Sequence, residues 1–437
     1  MSSVGNKMEL MPTTNMTLAS YRDYVESDIE EVGPMTFGHA GLQPWEKLRE
    51  GMNMENERND RLVLPPSGSI SRRRMLQLSG LGVAGAIVGP SILAACGSDD
   101  GGSGATKLDK VKAHWVYIGP PDDNGWTQAH DDGRKAVEAA LGNKVETAYT
   151  PNIGFDASTN QLFQQLTDDG NDIIFANTEY SQLLSDVAAV NPGTKYVECN
   201  GHNYTANTAA YYMAHERTAY LLGVAAGLLT PNGTMGYIGA FPSPTFFNDV
   251  NPMLLGARSV NPKATMQSVL ISSYFDPQNA AIAADALLSQ GVEFLFGVMD
   301  EPTFLQKAEA AGVWTGYWNL DFRSAAPTKY VNNFNLDGFG PFYTSQCEAV
   351  LNGTWAPPAK PEPILLDCPL GEWGPQVPQE VQDAVAEVDK KILSGDLHVY
   401  EGPLVDNTGV ERLPAGEHLT EQDAYLIDFA VEGVSGI

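Results

Sequence analysis

The sequence predicts an α/β protein made of two lobes, each built on a parallel β-sheet. From Val111 onward, short apolar runs alternate with amphipathic stretches, which is the pattern of a parallel sheet covered by helices. The alternation restarts after Pro231. Residues 165–175 and 287–296 also share one order of helix end, glycine, acidic residue and apolar strand. We therefore expect two similar lobes of about 120 to 150 residues each.

The first lobe is predicted to span residues 111–230. Its strands are expected in short apolar runs, at residues 111–119, 144–150, 172–177, 195–200 and 209–213. Helices are expected between them where apolar residues recur every three to four positions, for example at 128–141 and 157–167.

The second lobe is predicted to span residues 231–325. Strands are expected at 234–240, 266–271, 294–299 and 313–318, with helices at 276–290 and 301–311. Residues 326–437 are expected to form a hinge crossing and a C-terminal segment that packs on the lobes. That segment should contain a helix at 380–393, a hairpin at 399–410 and a last helix at 420–432.

The charge balance excludes nucleic acid as an expected partner. The 437 residues include 26 Lys and Arg against 54 Asp and Glu, a formal net charge of -28. Affinity for a phosphate backbone comes largely from Lys and Arg, so this surface should repel it. The cysteines downstream of Cys96 are Cys199, Cys347 and Cys368, and Cys347 with Cys368 is the pair that we expect if a disulfide forms.

An export signal is predicted at residues 71–95. Arg72 and Arg73 lie in S-R-R-R-M-L-Q, which fits the twin-arginine pattern and opens an uncharged run. A membrane-spanning helix is the alternative, but four glycines and a proline make the run a poor helix. Residues 1–70 are expected to be a disordered extension, or else the start codon is misassigned and Met52 or Met54 begins the chain.

A lipid anchor is predicted at Cys96. The signal ends in L-A-A-C, which resembles the lipobox of bacterial lipoproteins, and a polar, glycine-rich stretch follows. We expect residues 96–110 to be a flexible tether.

Aromatic and acidic residues follow several predicted strands, at the edge where open α/β sheets bind ligands. The aromatic residues at these positions are Trp126, Phe246, Phe247, Tyr274, Phe275, Tyr317 and Trp318, and Glu179 and Asp300 are acidic residues at matching places. Rings can stack on a flat ligand while carboxylates accept its N–H or O–H donors. Burial between sheet and helix is the alternative for any one ring.

Several motifs make the chain resemble the basic membrane protein family of lipoprotein substrate-binding components of ABC importers, which are related to purine nucleoside receptors. The motifs are V-Y-I-G-P at 116–120, G-W-T-Q-A-H-D-D-G-R at 125–134, G-A-F-P at 239–242, L-G-A-R-S-V-N-P at 255–262, Y-F-D-P at 274–277 and D-F-A-V-E-G-V at 428–434. The resemblance runs from about Val111 to the end.

The resemblance implies a type I periplasmic-binding-protein fold, with two doubly wound parallel-sheet lobes joined by a hinge that is crossed three times. It also implies a purine nucleobase or nucleoside clamped between the lobes. The ligand-binding residues carried over by position are Asp123, Trp126, Thr127, Asn177, Thr178, Phe246, Phe247, Tyr274, Asp300, Trp318 and Asp321.

The implied protein is a solute receptor on the outer face of the cell membrane, exported by the twin-arginine route and held by its lipid alone. Its expected partners are a small-molecule ligand and ABC permease subunits, and we expect a monomer without cofactor, metal or enzymatic activity. The alternatives are a secreted nucleoside-processing enzyme and a ligand-sensing receptor subunit. A hydrolase requires a clustered Asp metal site or a positioned nucleophile, and the sequence contains no motif for either.

We expect the Cys96→Ala variant to be released into the medium with unchanged ligand affinity, because the thiol that carries the diacylglycerol is lost. Fractionation followed by immunoblotting measures this. Retention of the variant in the membrane fraction would contradict the lipobox interpretation.

Overall fold

The computed structural model describes residues 107–437. The predicted extension at 1–70, the signal at 71–95 with Arg72 and Arg73, Cys96, and the tether up to residue 106 lie outside the described residues. Among the described helices, none combines the length and apolar character that crossing a membrane requires.

The first five strands of the first lobe are β1 (Val111–Val116), β2 (Val145–Thr150), β3 (Ile173–Ala176), β4 (Lys195–Cys199) and β5 (Thr208–Ala214). Together with β11 (Ile364–Asp367) from later in the chain, they form a parallel sheet with the order β11-β5-β4-β3-β1-β2. Helices α1 (Trp126–Leu141), α2 (Ala157–Asp168) and α3 (Gln182–Val190) connect the first four strands. All the strands and both helices that we predicted for residues 111–213 are present, with slightly different ends.

The second lobe repeats this arrangement with the order β10-β9-β8-β6-β7-β14. Its strands are β6 (Thr234–Gly239), β7 (Thr265–Leu270), β8 (Phe294–Gly297), β9 (Trp314–Tyr317) and β10 (Tyr330–Asn333), with β14 (Val434–Ser435) at the far edge. The connecting helices are α5 (Pro244–Val260), α6 (Pro277–Ser289) and α7 (Thr303–Ala311). The repeated segments seen in the sequence end in β3 and β8, which occupy equivalent places beside β1 and β6.

Local sequence explains where these helices begin. The side chains of Asp156, Ser243 and Asp276 each accept a hydrogen bond from a backbone N–H in the first turn of α2, α5 and α6. Proline follows directly at the first position of α5 and α6, where no N–H is needed.

The described chain passes between the lobes three times, as the resemblance implied. The first crossing follows β5 at His215, the second follows β10, and the third follows β11 (Ile364–Asp367). The second and third crossings pair with each other, since Asn335 N–H donates to the Pro369 carbonyl at 2.8 Å and Phe334 forms an antiparallel bridge with Leu370. Two of the three hinge segments therefore form one short ribbon.

Helix α4 (Glu216–Leu229) packs against α5 of the second lobe. The chain therefore leaves the first sheet before α4, whereas the boundary that we predicted, between residues 230 and 231, lies after α4. After the second crossing, α8 (Phe339–Leu351) returns to pack on α1, and α9 (Gln379–Ser394) packs on α4.

The C-terminal segment corrects one prediction. The hairpin is present as β12 (Leu404–Val405) and β13 (Glu411–Leu413), but the helix predicted at 420–432 is wrong, because only α10 (Glu421–Ala424) is helical. Backbone groups of the following residues bond to distant partners instead. Asn251 accepts from Val431 N–H and donates to the Phe429 carbonyl, and Glu432 N–H donates to the Val405 carbonyl.

The expected pair of Cys347 with Cys368 is also wrong. Cys347 lies in α8, Cys368 follows β11, and both are buried as free thiols, as is Cys199 in β4. Each is enclosed by apolar neighbours of the main core.

Glycines allow α4 and α5 to pack closely. A Cβ atom on Gly223 would lie 2.0 Å from the Met253 carbonyl oxygen, and one on Gly256 would lie 2.0 Å from the Tyr220 carbonyl oxygen. Because both obstacles are backbone atoms, no side-chain rotation can relieve the collision.

We expect Gly223→Ala to lower the free energy of unfolding by about 1 to 3 kcal/mol, since the helices must separate to admit the methyl group. The control is Gly193→Ala, where no atom lies within 4 Å of the added Cβ. Urea denaturation of both variants measures the effect, and equal stabilities would contradict the packing argument.

Candidate functional site

A cavity that is partly open to solvent lies between the lobes at the carboxyl ends of the strands. Aromatic side chains from both lobes and from the hinge line it, namely Trp126, Tyr212, Phe241, Phe246, Tyr274, Trp318 and Phe334.

Polar side chains are fewer in this cavity. They are Thr178, Asn200, His215, Ser243, Thr245 and Asp300. Of the residues that the structure describes, those lining the cavity include no Lys or Arg. Residues 107–437 also hold no group of three or more His, Cys, Asp or Glu that could bind a metal ion.

Trp126 begins α1 and is held on several sides. Its indole N–H donates to the Asn177 carbonyl at 2.7 Å, and the edges of its ring meet His130 and Phe339 at centroid distances of 4.3 and 5.5 Å. One face stacks on Trp318 of the second lobe, with centroids 5.5 Å apart and planes inclined by 14°. The orientation of the Trp126 ring is therefore fixed by protein contacts.

Asp123 serves the backbone of α1. Its carboxylate accepts hydrogen bonds from the N–H groups of Gly125 at 2.9 Å, Thr127 at 3.0 Å and Gln128 at 2.9 Å. A carboxylate at a helix N-terminus supplies acceptors that the helix itself lacks and interacts favourably with the helix dipole.

Asp300 follows β8 and bridges the two lobes. Its Oδ1 accepts from the Trp126 backbone N–H at 3.0 Å and from the Asn319 side-chain amide at 3.3 Å. Burial and then the nearby Asp123 carboxylate raise the pKa of Asp300 to about 7, although the Trp126 hydrogen bond opposes this.

His215 is a cavity residue whose sequence context indicated only the start of a helix. Its Nδ1–H donates to the Met213 carbonyl at 2.9 Å, and its Nε2 lies 3.0 Å from Oδ1 of Asp249, whose other oxygen accepts from the Tyr237 hydroxyl. Burial alone would lower the pKa of His215, but the Asp249 carboxylate outweighs this and raises it to about 9. The imidazolium is therefore the form present at neutral pH, hydrogen-bonded through Nδ1 to Met213 and ion-paired with Asp249.

The structure brings six predicted site residues to the cavity, namely Trp126, Thr178, Phe246, Tyr274, Asp300 and Trp318. The other five side chains are not among its lining. Asp123 and Thr127 lie in the α1 cap, and Asn177 accepts from Ile118 N–H. Phe247 packs in the main core, and Asp321 pairs with Arg323. Glu179, expected to match Asp300, instead accepts from the Ser181 hydroxyl.

Sequence reasoning missed Asn200, Tyr212, His215, Phe241, Ser243, Thr245 and Phe334. Phe241 and Ser243 follow β6, so the strand-end rule that identified Trp126 could also have found them. Tyr212, His215 and Phe334 lie in or beside the hinge crossings, which no periodicity marks.

The chain is similar to known solute-binding proteins. Residues 110–313 match a family model described as ABC transporter substrate-binding protein PnrA-like. A purine-binding protein of Brucella abortus is 32% identical over 338 residues, covering 76% of this chain and 95% of that protein. A putative ABC transporter glucose-binding protein of Haloferax volcanii is 34% identical over 337 residues, covering 77% and 83%.

A solved structure shows the same fold. A solute-binding protein of an ABC transporter system from Aeropyrum pernix K1 superposes with a TM-score of 0.57 at 16% identity, over 65% of this chain and 92% of that one. This agreement confirms the predicted two-lobed, parallel-sheet architecture of the type I periplasmic binding proteins.

We expect stability to fall less with rising pH in Asp300→Asn than in the wild type. A carboxyl group whose pKa is raised by folding, here from 3.8 to about 7, stabilises the fold at low pH, and this contribution is lost as the pH rises through about 7. The amide does not titrate, yet its oxygen can still accept from Trp126. Urea titrations at about pH 5 and about pH 8 measure the difference, and equal losses in both proteins would contradict it.

Proposed function

The chain belongs to the Bmp family of PnrA-like ABC transporter substrate-binding proteins, and from that premise we propose that it binds a purine nucleobase or nucleoside between its lobes and delivers it to a permease. The predicted family relationship is thereby confirmed. The purine, the lipid anchor, the twin-arginine route and the monomeric state are parts of the proposal.

The aromatic lining of the cleft is the observation that carries the choice of a purine. Several aromatic side chains line the cavity, and stacking is the interaction that a planar heterocycle makes best. Trp318 also lines the cavity, and its buried indole N–H has no hydrogen-bond partner among the described residues.

The same lining argues against two other classes of ligand, hexoses and nucleotides. A hexose presents hydroxyl groups around its ring, and each of them loses a water partner on burial unless a polar group replaces it. Apolar and aromatic groups outnumber polar ones here. A nucleotide would require cationic groups for its phosphates, and the described lining residues include no Lys or Arg.

Delivery without chemistry is the role that the polar groups support. Because the pKa of His215 is raised to about 9, its imidazolium carries a proton on both ring nitrogens at neutral pH and has no lone pair to act as a general base. We propose a receptor rather than a nucleoside-processing enzyme. Turnover of adenosine or inosine by the pure protein would overturn this part of the proposal.

The anchor is supported by the S-R-R-R-M-L-Q and L-A-A-C motifs and by the family, whose members serve membrane transporters. We propose that the mature chain begins at Cys96 and is held on the outer face of the membrane by lipid, with residues 96–110 as the tether.

We expect adenine or adenosine to bind and glucose not to bind in isothermal titration calorimetry. Trp126→Ala should weaken purine affinity roughly 10- to 100-fold, because stacking of a base on an aromatic ring contributes about 1 to 3 kcal/mol. Trp126→Phe should retain most of the affinity, since it keeps an aromatic face.

The matched control is Trp355→Ala, which removes a tryptophan outside the cavity lining. Thermal melts of all variants separate lost binding from lost folding. Tight glucose binding would refute the proposed ligand. Unchanged purine affinity in Trp126→Ala with a normal melt would refute the proposed stacking of the base on Trp126.

A further inference from the structure

Acceptors from both lobes share the first backbone N–H groups of α1. Asp123 accepts from Gly125, Thr127 and Gln128, which leaves the N–H of Trp126 between them. That N–H donates to Asp300, which comes from β8 of the opposite lobe, at 3.0 Å. The cap of this helix is therefore complete only when the second lobe lies against the first.

Gly125 makes the approach of Asp300 possible. A Cβ atom at this position would lie 2.1 Å from Oδ1 and 2.6 Å from Cγ of Asp300. Because any side chain at this position would collide with the carboxylate, the absence of one at Gly125 permits the interlobe contact. Gly125 does not line the cavity, so its effect on a ligand must be indirect.

Two further contacts close the same corner of the cleft. The Tyr317 hydroxyl, which donates to the Met299 carbonyl at 2.6 Å, also lies 3.3 Å from the Asn124 carbonyl across the lobes, and the rings of Trp126 and Trp318 stack. Asn319 donates to Asp300 at 3.3 Å and helps to fix its carboxylate. The stacking tryptophan and its immediate backbone are thus held by residues of the opposite lobe.

We propose that Asp300 is a positioning residue, which caps α1 across the cleft and so couples lobe closure to the placement of Trp126, with Gly125 as the residue that admits it. This inference rests on the proposed function for its ligand, although the contact itself needs none. If Asp300 acted by touching the ligand, a substitution at Gly125 would not be expected to change ligand dissociation in the same way as a substitution at Asp300.

A double-mutant cycle on ligand dissociation tests the coupling. The variants are Gly125→Ala, Asp300→Ala, their combination and Asp300→Asn. Each protein is loaded with adenosine and diluted in a stopped-flow instrument, and the change in tryptophan fluorescence gives the dissociation rate. Gly125→Ala and Asp300→Ala should each speed dissociation roughly tenfold or more, as loss of one charge-assisted hydrogen bond predicts. The combined variant should dissociate more slowly than the product of the two single effects predicts, because Oδ1 and Cγ are gone and only Cβ of residue 300, 2.7 Å from the added methyl group, is left to collide with it.

The conservative variant separates positioning from charge. Asp300→Asn keeps an oxygen for the Trp126 N–H and should stay within about threefold of the wild type. The control Gly154→Ala adds a methyl group where no atom lies within 4 Å and should leave dissociation unchanged. Additive effects in the cycle, or a normal dissociation rate in Gly125→Ala, would overturn the proposal.

A second measurement needs no ligand. Spin labels at Ala139→Cys in α1 and Ala286→Cys in α6 report the distance between lobes by pulsed electron paramagnetic resonance, and the native cysteines of the described chain are buried. Gly125→Ala and Asp300→Ala should shift the distribution away from that of the unsubstituted pair, whereas Asp300→Asn should not. If no purine binds the wild type, the proposed function fails while these distances still decide the role of Asp300. Identical distributions in all variants would refute it.

Discussion

The backbone N–H groups at the start of α1 are the constraint on which the cleft depends. A helix leaves its first donors without internal partners, and here they lie beside the cavity between the lobes. Carboxylates from both lobes provide the acceptors, Asp123 locally and Asp300 across the cleft. Satisfying one helix end therefore fixes the loop after β1, the orientation of Trp126 and the contact between the lobes together.

Buried charge sets a second condition at the hinge. The imidazolium of His215 and the carboxylate of Asp249 form a pair between the first crossing and α5, and Tyr237 of β6 completes it. Next to this pair, burial raises the pKa of Glu216 to about 7, although His215 opposes the shift. Removing one partner would leave an unpaired charge in the interior, so the first crossing is tied to the second lobe by electrostatics as well as by packing.

The hinge and the helix pair beside it limit how the lobes can move. The second and third crossings form one ribbon, and α4 lies against α5 with glycines at the contact. A rigid second lobe that includes α4 follows from this packing. Motion between lobes must then occur at the crossings, which are short and close together, as in hinge closure around a ligand.

The sequence could predict the strand and helix alternation, the two equivalent lobes and the aromatic residues at strand ends, because each depends on local periodicity and on the position of residues after a strand. It could not predict that β11 is the edge strand of the first sheet and β14 the edge strand of the second. Both strands come from the last quarter of the chain, and edge pairing depends on neighbours that are distant in sequence.

The same limit applies to the site and to the C-terminus. Phe246 and Phe247 look alike in the sequence and both pack in the main core, but neighbouring residues on a helix point about 100° apart, so only Phe246 also lines the cavity. Residues 425–432 read as a helix, yet their backbone groups find partners on Asn251 and Val405. Local pattern thus determined the helices and strands, and it indicated the edge of the sheets at which the cavity lies. The tertiary structure alone decided which side chains line the cavity, because burial, charge pairing and backbone hydrogen bonding are settled between segments distant in the chain.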